Sequence, residues 1–119
     1  MTLEEYCDFV ASIASKDSMK DFESKLGTGA LGLAGESGEV ADMAKKVLFH
    51  GMEWNEETKK KVFKELGDVL WYVAFTARNV LEVSIEEIID ANVAKLQDRY
   101  KGGKFTTEEF MAKENAKKE

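Results

Sequence analysis

The chain has 119 residues, with 23 acidic and 17 basic side chains and a formal charge of −6. This length suits one domain of ordinary size, and the acidic balance argues against a nucleic-acid-coating surface and against binding to an anionic membrane. No apolar run is long enough for a transmembrane segment, and the N-terminus carries acids where a secretory signal needs bases. We therefore expect a single domain over residues 1–119, located in the cytoplasm.

The chain has one cysteine, one histidine and no proline. A single cysteine excludes an intrachain disulfide, and one Cys with one His cannot supply the ligands of a zinc site. No run of β-branched residues alternates strictly with polar ones, so nothing favours a sheet. The sequence predicts an all-α fold.

The N-terminal half is predicted to form two helices. Thr2 and Glu5 have the spacing of a capping box, which predicts a first helix to about residue 15. Residues 18–29 are less periodic and are interpreted as a loop or a short turn. A second helix is expected over about residues 28–49, with Gly51 as its stop. The inward face of the first helix is expected to carry Tyr6, Phe9, Val10 and Ile13.

Three glycines lie inside the second predicted helix. Gly32, Gly35 and Gly38 each cost about 0.5–1 kcal/mol relative to alanine in such a position. Their spacing makes a smooth strip beside the acids of the same helix. Such a strip has two possible uses, which are close packing against another helix and contact of the backbone with a ligand.

Three further helices are predicted in the C-terminal half. Asn55 suits the start of a third helix to about residue 81, whose apolar middle indicates either the centre of a four-helix bundle or a subunit interface. Ser84 and Glu87 form a capping box for a fourth helix to about residue 100. A short last helix is expected over about residues 108–117. The predicted fold class is an all-α, four-helix-bundle-like domain with a short C-terminal helix, a core at about residues 22–105 and a peripheral tail at residues 106–119.

Two acid pairs carry the strongest chemical signal. Glu36-x-x-Glu39 lies on the second predicted helix, and Glu65-x-x-Asp68 lies on the third. Side chains three apart lie one turn above each other, so each pair points its carboxylates in one direction. Apolar residues flank both pairs, and acids are rarely left in such surroundings without a partner or a metal. The pattern predicts a four-carboxylate site for Mg²⁺, which prefers oxygen ligands, while solvated helix faces are the ordinary alternative.

Groups that suit a phosphate chain are predicted near the acids. Lysine offers a point charge and arginine a fork of donors, and both recur along the helices at the three-four spacing of one face. Ordinary surface positions are an equal alternative for the lysine and arginine of the fourth helix. The candidate substrate-binding residues are Lys46, Tyr72, Asn92, Lys95, Arg99 and Tyr100.

Three segments in order resemble the MazG-type nucleoside triphosphate pyrophosphohydrolases, an all-α superfamily. They are Leu31-Gly-Leu-Ala-Gly-Glu-Ser-Gly-Glu-Val-Ala-Asp42, Lys64-Glu-Leu-Gly-Asp-Val-Leu-Trp-Tyr-Val73 and Asn92-Val-Ala-Lys-Leu-Gln-Asp-Arg-Tyr100. The chain departs from many relatives at Gly35, where they have a second glutamate, and after Tyr100, where they have a proline.

The resemblance implies hydrolysis of a nucleoside or deoxynucleoside triphosphate to the monophosphate and pyrophosphate by metal-activated water. It implies two or three Mg²⁺ ions per site, with Mn²⁺ able to substitute, and assembly as a homodimer or homotetramer. The residues that match the family's metal ligands and catalytic acids are Glu36, Glu39, Glu65 and Asp68.

Two other classes of protein also place acids on facing helices. A carboxylate-bridged di-iron bundle needs Glu-x-x-His pairs, and neither acid pair contains a histidine. A non-enzymatic helical interaction module with a structural divalent-cation site stays open as an alternative. The sequence does not predict the base, the sugar or the phosphorus atom that is attacked.

Overall fold

The computed structural model describes residues 1–103 and 107–118, apart from the side chains of Glu109 and Lys118. Within these residues the structure has five α-helices and no strand, so the predicted all-α fold is confirmed. None of the described helices combines the length and the apolar character that a bilayer span requires. The helices are α1 (Leu3–Ile13), α2 (Phe22–Phe49), α3 (Glu56–Thr76), α4 (Ile85–Arg99) and α5 (Thr107–Lys118).

The chain divides into two compact units, Met1–Ile85 and Glu86–Glu119. The first unit contains α1, α2, α3 and a π-helical turn over Ala77–Leu81. The second contains α5 and nearly all of α4. The predicted boundary between core and tail, at residues 105 and 106, lies outside the described residues, and the single domain stays a prediction.

The start of α1 is the capping arrangement that the sequence predicts. The Thr2 hydroxyl accepts a hydrogen bond from the backbone N–H of Glu5 at 3.1 Å. The helix ends at Ile13, before the predicted residue 15, because Ala14 is extended with φ −62° and ψ 139°. Ser15 then accepts from the backbone N–H of Ser18 at 3.1 Å, which starts a short 3₁₀ turn.

The start of α2 differs from the prediction, because most of the stretch interpreted as a loop is helical. Asp21 is extended and its carboxylate accepts from the backbone N–H of Ser24 at 2.7 Å, so α2 begins at Phe22 rather than near residue 28. A capping aspartate satisfies a backbone donor that would otherwise have no partner. The predicted end at Phe49 is confirmed, and Gly51 follows with φ +75°.

The predicted start of α3 is confirmed, but the α-helix ends before the predicted residue 81. Asn55 accepts from the backbone N–H of Thr58 at 3.0 Å, and the buried Thr58 hydroxyl donates to the carbonyl of Glu53 at 2.6 Å. The α-helix ends at Thr76, and the chain continues as the π-helical turn, which Glu82 closes with φ 56°. The fourth helix begins directly after Ser84, as predicted.

The core of the first unit forms where α1 and α2 each pack against α3 and the π-helical turn. Helices α2 and α3 run antiparallel and pack against each other, and α1 packs against α3. The inward face expected for α1 is partly wrong, because Phe9 and Ile13 are exposed whereas Cys7 is buried with Val10. The buried hydrophobic residues are Cys7, Val10, Met43, Ala74, Phe75, Ala77 and Ile85.

The glycine strip of α2 serves close packing only at its N-terminal end. A Cβ atom at Gly32 would overlap the ring of Tyr72, and one added at Gly29 would overlap the Thr76 hydroxyl. At Gly35 and Gly38 a Cβ atom would meet none of the described residues within 4 Å. Close packing of α2 against α3 therefore explains the glycine at position 32. It does not explain Gly35 and Gly38, which lie beside the acids.

Candidate metal and nucleotide site

Three of the predicted metal ligands meet between α2 and α3. One carboxylate oxygen from each of Glu36, Glu65 and Asp68 lies within 4.8 Å of the others. Oxygens bound to one Mg²⁺ lie at most about 4.2 Å apart, because each is about 2.1 Å from the ion. A small adjustment of these side chains would bring the three oxygens to ligand distance, so the donor set and its spacing fit a hard divalent cation.

The crowding of these acids affects the protonation of Glu36. Partial burial raises the pKa of the Glu36 carboxyl above its usual value, and a hydrogen bond to Glu65 raises it further. The negative charges of Asp68, Glu65 and Glu39 act in the same direction. A cation placed among these groups would replace the proton and remove the repulsion.

Glu39, the fourth predicted ligand, lies outside the group of three. It is exposed and sits one turn beyond Glu36 on α2. Its charge nevertheless contributes to the pKa shifts of Glu36 and Lys46, so it is near the acid cluster. The role of Glu39 in binding metal stays a prediction.

The apolar residues that flank the acids are partly open to solvent in the described chain, since Leu33 and Val69 are half-buried and others are exposed. Leu31 beside the first pair is 76% exposed, and Leu66 beside the second is 54% exposed. Glu36 and Glu65 are consequently only half-buried, and Asp68 is exposed.

Two predicted substrate contacts in the first unit have other interactions. The ring of Tyr72 packs against Gly32 and meets Trp71 edge-on, with ring centroids 4.9 Å apart. The Lys46 ammonium lies 3.0 Å from Asp42, and this ion pair raises the pKa of Lys46. Both residues stay predictions as substrate contacts, and Lys46 would have to leave Asp42 to reach a phosphate.

The remaining predicted substrate contacts belong to the second unit. Asn92, Lys95 and Arg99 lie along one face of α4 by their three-four spacing, and Tyr100 follows directly. Asn92 and Lys95 are exposed, whereas Arg99 and Tyr100 are half-buried. That these residues contact the same substrate as the acids of the first unit stays a prediction.

The structure brings Tyr6, which sequence reasoning did not assign to the site, close to Asp68. Partial burial raises the pKa of the Tyr6 hydroxyl, and the nearby charges of Asp68 and Cys7 raise it further. No spacing signal connects residue 6 with residue 68, because packing of α1 on α3 brings them together. The buried side-chain nitrogen of Asn79, in the π-helical turn, has no hydrogen-bond partner among the described residues.

A match to a known protein family covers the acid cluster and the predicted substrate contacts. Residues 25–103 match the family model described as the MazG nucleotide pyrophosphohydrolase domain. The chain is also 42% identical to the Gene 37 protein of Mycobacterium phage L5 over 71 residues, which is 58% of this chain. The match spans 60% of the phage protein's length. No solved structure matches the chain.

Proposed function

Because the chain belongs to the MazG nucleotide pyrophosphohydrolase domain family, we propose that it hydrolyses a nucleoside or deoxynucleoside triphosphate to the monophosphate and pyrophosphate. The observation that carries this proposal is the group of three carboxylates within 4.8 Å of one another. Such a group suits a divalent cation, and a cation suits a substrate whose phosphates carry several negative charges. The proposed location is the cytoplasm, where nucleoside triphosphates are made and used.

The proposed cofactor is Mg²⁺, with two or three ions per site and Mn²⁺ able to substitute. Glu36, Glu65 and Asp68 would hold it, and Glu39 is the proposed fourth ligand. When bound, the metal supplies neutralisation of phosphate charge and activation of water as a nucleophile. Carboxylates are the oxygen donors that both ions prefer, which supports this choice over softer metals.

The chain's own residues would position the substrate and the water. The proposed reaction joins a water oxygen to phosphorus and breaks the anhydride bond between the α- and β-phosphates. Glu39, which is exposed, would orient this water. Arg99 would offer a fork of donors and Lys95 a point charge to the phosphate oxygens. The further proposed contacts are Lys46, Tyr72, Asn92 and Tyr100.

The products of hydrolysis test the proposed function. The purified chain is incubated with each common ribo- and deoxyribonucleoside triphosphate and Mg²⁺, and the products are separated by anion-exchange chromatography. Monophosphate with an equal amount of pyrophosphate is expected, and the comparison of substrates defines the base and sugar preference. Diphosphate with orthophosphate would contradict the proposal. In ¹⁸O-labelled water, the product that carries the label identifies the attacked phosphorus atom.

A matched pair of variants on α3 tests the acid cluster. Glu65→Gln removes a carboxylate of the cluster, whereas Glu57→Gln makes the same change at an exposed glutamate whose ion-pair contact is with Lys61 at 3.9 Å. We expect kcat to fall by about 100-fold or more in Glu65→Gln and to stay unchanged in Glu57→Gln. Equal turnover in both variants would remove the cluster from the mechanism. Mg²⁺ binding without nucleotide binding would favour the non-enzymatic interaction module.

The proposed assembly is a homodimer or homotetramer. The exposed face of α3 carries an apolar row of Phe63, Leu66 and Leu70, at positions three and four apart. A single chain leaves this row in water, and a second copy related by a twofold axis would cover it with the same row. The sequence also allows α3 to be the centre of a four-helix bundle within one chain. That alternative does not explain why the row is exposed.

A further inference from the structure

The amide of Asn79 is an exception in the first unit, because its buried nitrogen has no hydrogen-bond partner among the described residues. A buried donor without an acceptor costs free energy, since it loses its bonds to water and gains none in return. Such atoms are rare in folded proteins, and each of them asks for an explanation. A role in binding a ligand would explain why an asparagine occupies this position.

Asn79 lies at one end of the contact between α2 and the third helix with its π-helical turn. Along this contact Tyr72 meets Gly32, and Thr76 meets Gly29 one turn further. Asn79 follows Thr76 by three residues, in the π-helical turn, which also packs against α2. Turns of this kind at the end of an α-helix are frequent at functional sites.

The distance between the acid cluster and Asn79 suits a nucleotide. Asp68 and Asn79 are eleven residues apart, which is about 16 Å at about 1.5 Å per helical residue. An extended nucleoside triphosphate has a comparable length from its phosphates to the far edge of its base. Both places belong to the first unit. A nucleotide with its phosphates at the acid cluster would therefore place its base near the π-helical turn.

We propose that Asn79 is a specificity-determining residue that donates a hydrogen bond from its amide nitrogen to an acceptor on the edge of the nucleobase. This inference rests on the proposed function, because it takes the acid cluster as the place of the phosphates. The edges of all common bases carry acceptor atoms, and asparagine pairs well with a base edge. Asn79 is half-buried as a whole, so rotation about its last torsion, which is a soft one, would turn the nitrogen toward a ligand.

The stability of Asn79→Leu tests whether the amide is kept for binding or for folding. Leucine has nearly the size of asparagine, has no polar group to bury and favours a helix more strongly. We expect the midpoint of urea unfolding of the ligand-free chain to move to a higher urea concentration. A lower midpoint would overturn the proposal, because the amide would then stabilise the free chain.

Calorimetry with Mg²⁺ and α,β-methylene triphosphate analogues, which keep the base but resist cleavage between the α- and β-phosphates, tests binding of the base. We expect Asn79→Leu to raise the Kd of the tightest-binding analogue by about threefold to tenfold, the usual effect of one hydrogen bond. The Kd of inorganic triphosphate, which has no base, should stay unchanged. Thr76→Val is the matched control, because it removes a nearby hydroxyl that already donates to the Tyr72 carbonyl at 2.7 Å. Both of its Kd values should equal those of the wild type.

The two ligands also separate this inference from the proposed function. An unchanged Kd of the analogue in Asn79→Leu, while the wild type hydrolyses the triphosphate, would refute the role of Asn79 and leave the function standing. An equal loss for inorganic triphosphate, or an equal loss in Thr76→Val, would also refute that role. Weaker binding of the analogue alone, in a chain that does not hydrolyse the triphosphate, would support the role of Asn79 and refute the function.

Discussion

Gly32 and Gly38 lie on the same helix and differ in what surrounds them. Gly32 faces the ring of Tyr72 so closely that no Cβ atom fits, while Gly38 faces open space. We expect Gly32→Ala to lower the free energy of unfolding by about 1–3 kcal/mol, as overpacking does. Gly38→Ala should raise it by about 0.5–1 kcal/mol, because alanine favours the helix. Urea unfolding followed by circular dichroism measures both.

Each glycine variant is a control for the other. Both replace glycine by alanine within α2, so the difference in helix propensity is the same and only the surroundings differ. A stable Gly32→Ala would mean that Tyr72 moves aside at little cost. A destabilised Gly38→Ala would mean that a second copy of the chain covers this part of the helix in solution.

The sequence predicts the acids of the site better than it predicts their arrangement. The spacing within Glu36-x-x-Glu39 and Glu65-x-x-Asp68 is local, so each pair can be recognised on its own helix. Which acids meet depends on how α2 is rotated against α3, and contacts such as Gly32 with Tyr72 fix that rotation. For this reason Glu36 joins the cluster of three while Glu39, on the same helix, lies outside it.

At the scale of helices, the sequence predicts the threonine and asparagine caps correctly and misses one aspartate cap. Thr2 and Asn55 start α1 and α3 as expected. Asp21 starts α2 but precedes a stretch that contains Gly27 and Gly29, which favour a loop on propensity alone. Packing of α2 against α3 overcomes that preference, because Gly29 is buried against Thr76.

The cap at Asp21 makes the first turn of α2 sensitive to acid. Hydrogen bonds from the hydroxyl and the backbone N–H of Ser24 lower the pKa of the Asp21 carboxyl below its usual 3.8. A group with a lowered pKa in the folded state contributes stability above its unfolded pKa, and loses it as the pH falls through the folded pKa. We therefore expect the hydrogen bond from the Ser24 amide to Asp21 to weaken below pH 3.8. An NMR titration of the Ser24 amide shift measures this weakening.

A neutral cap distinguishes this effect from general acid unfolding. In Asp21→Asn the side-chain oxygen still accepts the Ser24 N–H, but the cap no longer titrates. The Ser24 shift should then stay constant until the whole chain unfolds. The same titration curve in Asp21→Asn and the wild type would show that Asp21 is not the titrating group.

At the scale of the whole molecule, the apolar residues of α3 divide into a buried and an exposed set. Ala74 and Phe75 are buried, and Phe75 stacks on Trp71 with ring centroids 5.5 Å apart. Phe63 is 77% exposed and Leu70 is 42% exposed. Apolar periodicity predicts that a helix has apolar faces, but it does not say whether its own chain or another copy covers them.

A charge placed in the exposed row of α3 tests whether a second copy covers it. We expect the wild type to have a mass in light scattering at least twice the 13.4 kDa of one chain at micromolar concentration. Leu66→Glu should lower the mass to that of a monomer, because it would bring unpaired carboxylates together across a twofold axis in an apolar contact. Lys64→Glu also adds a glutamate to α3 but lies off the row, so its mass should match the wild type. A monomeric wild type would refute the assembly, and equal masses for all three proteins above that of a monomer would assign the contact to another surface.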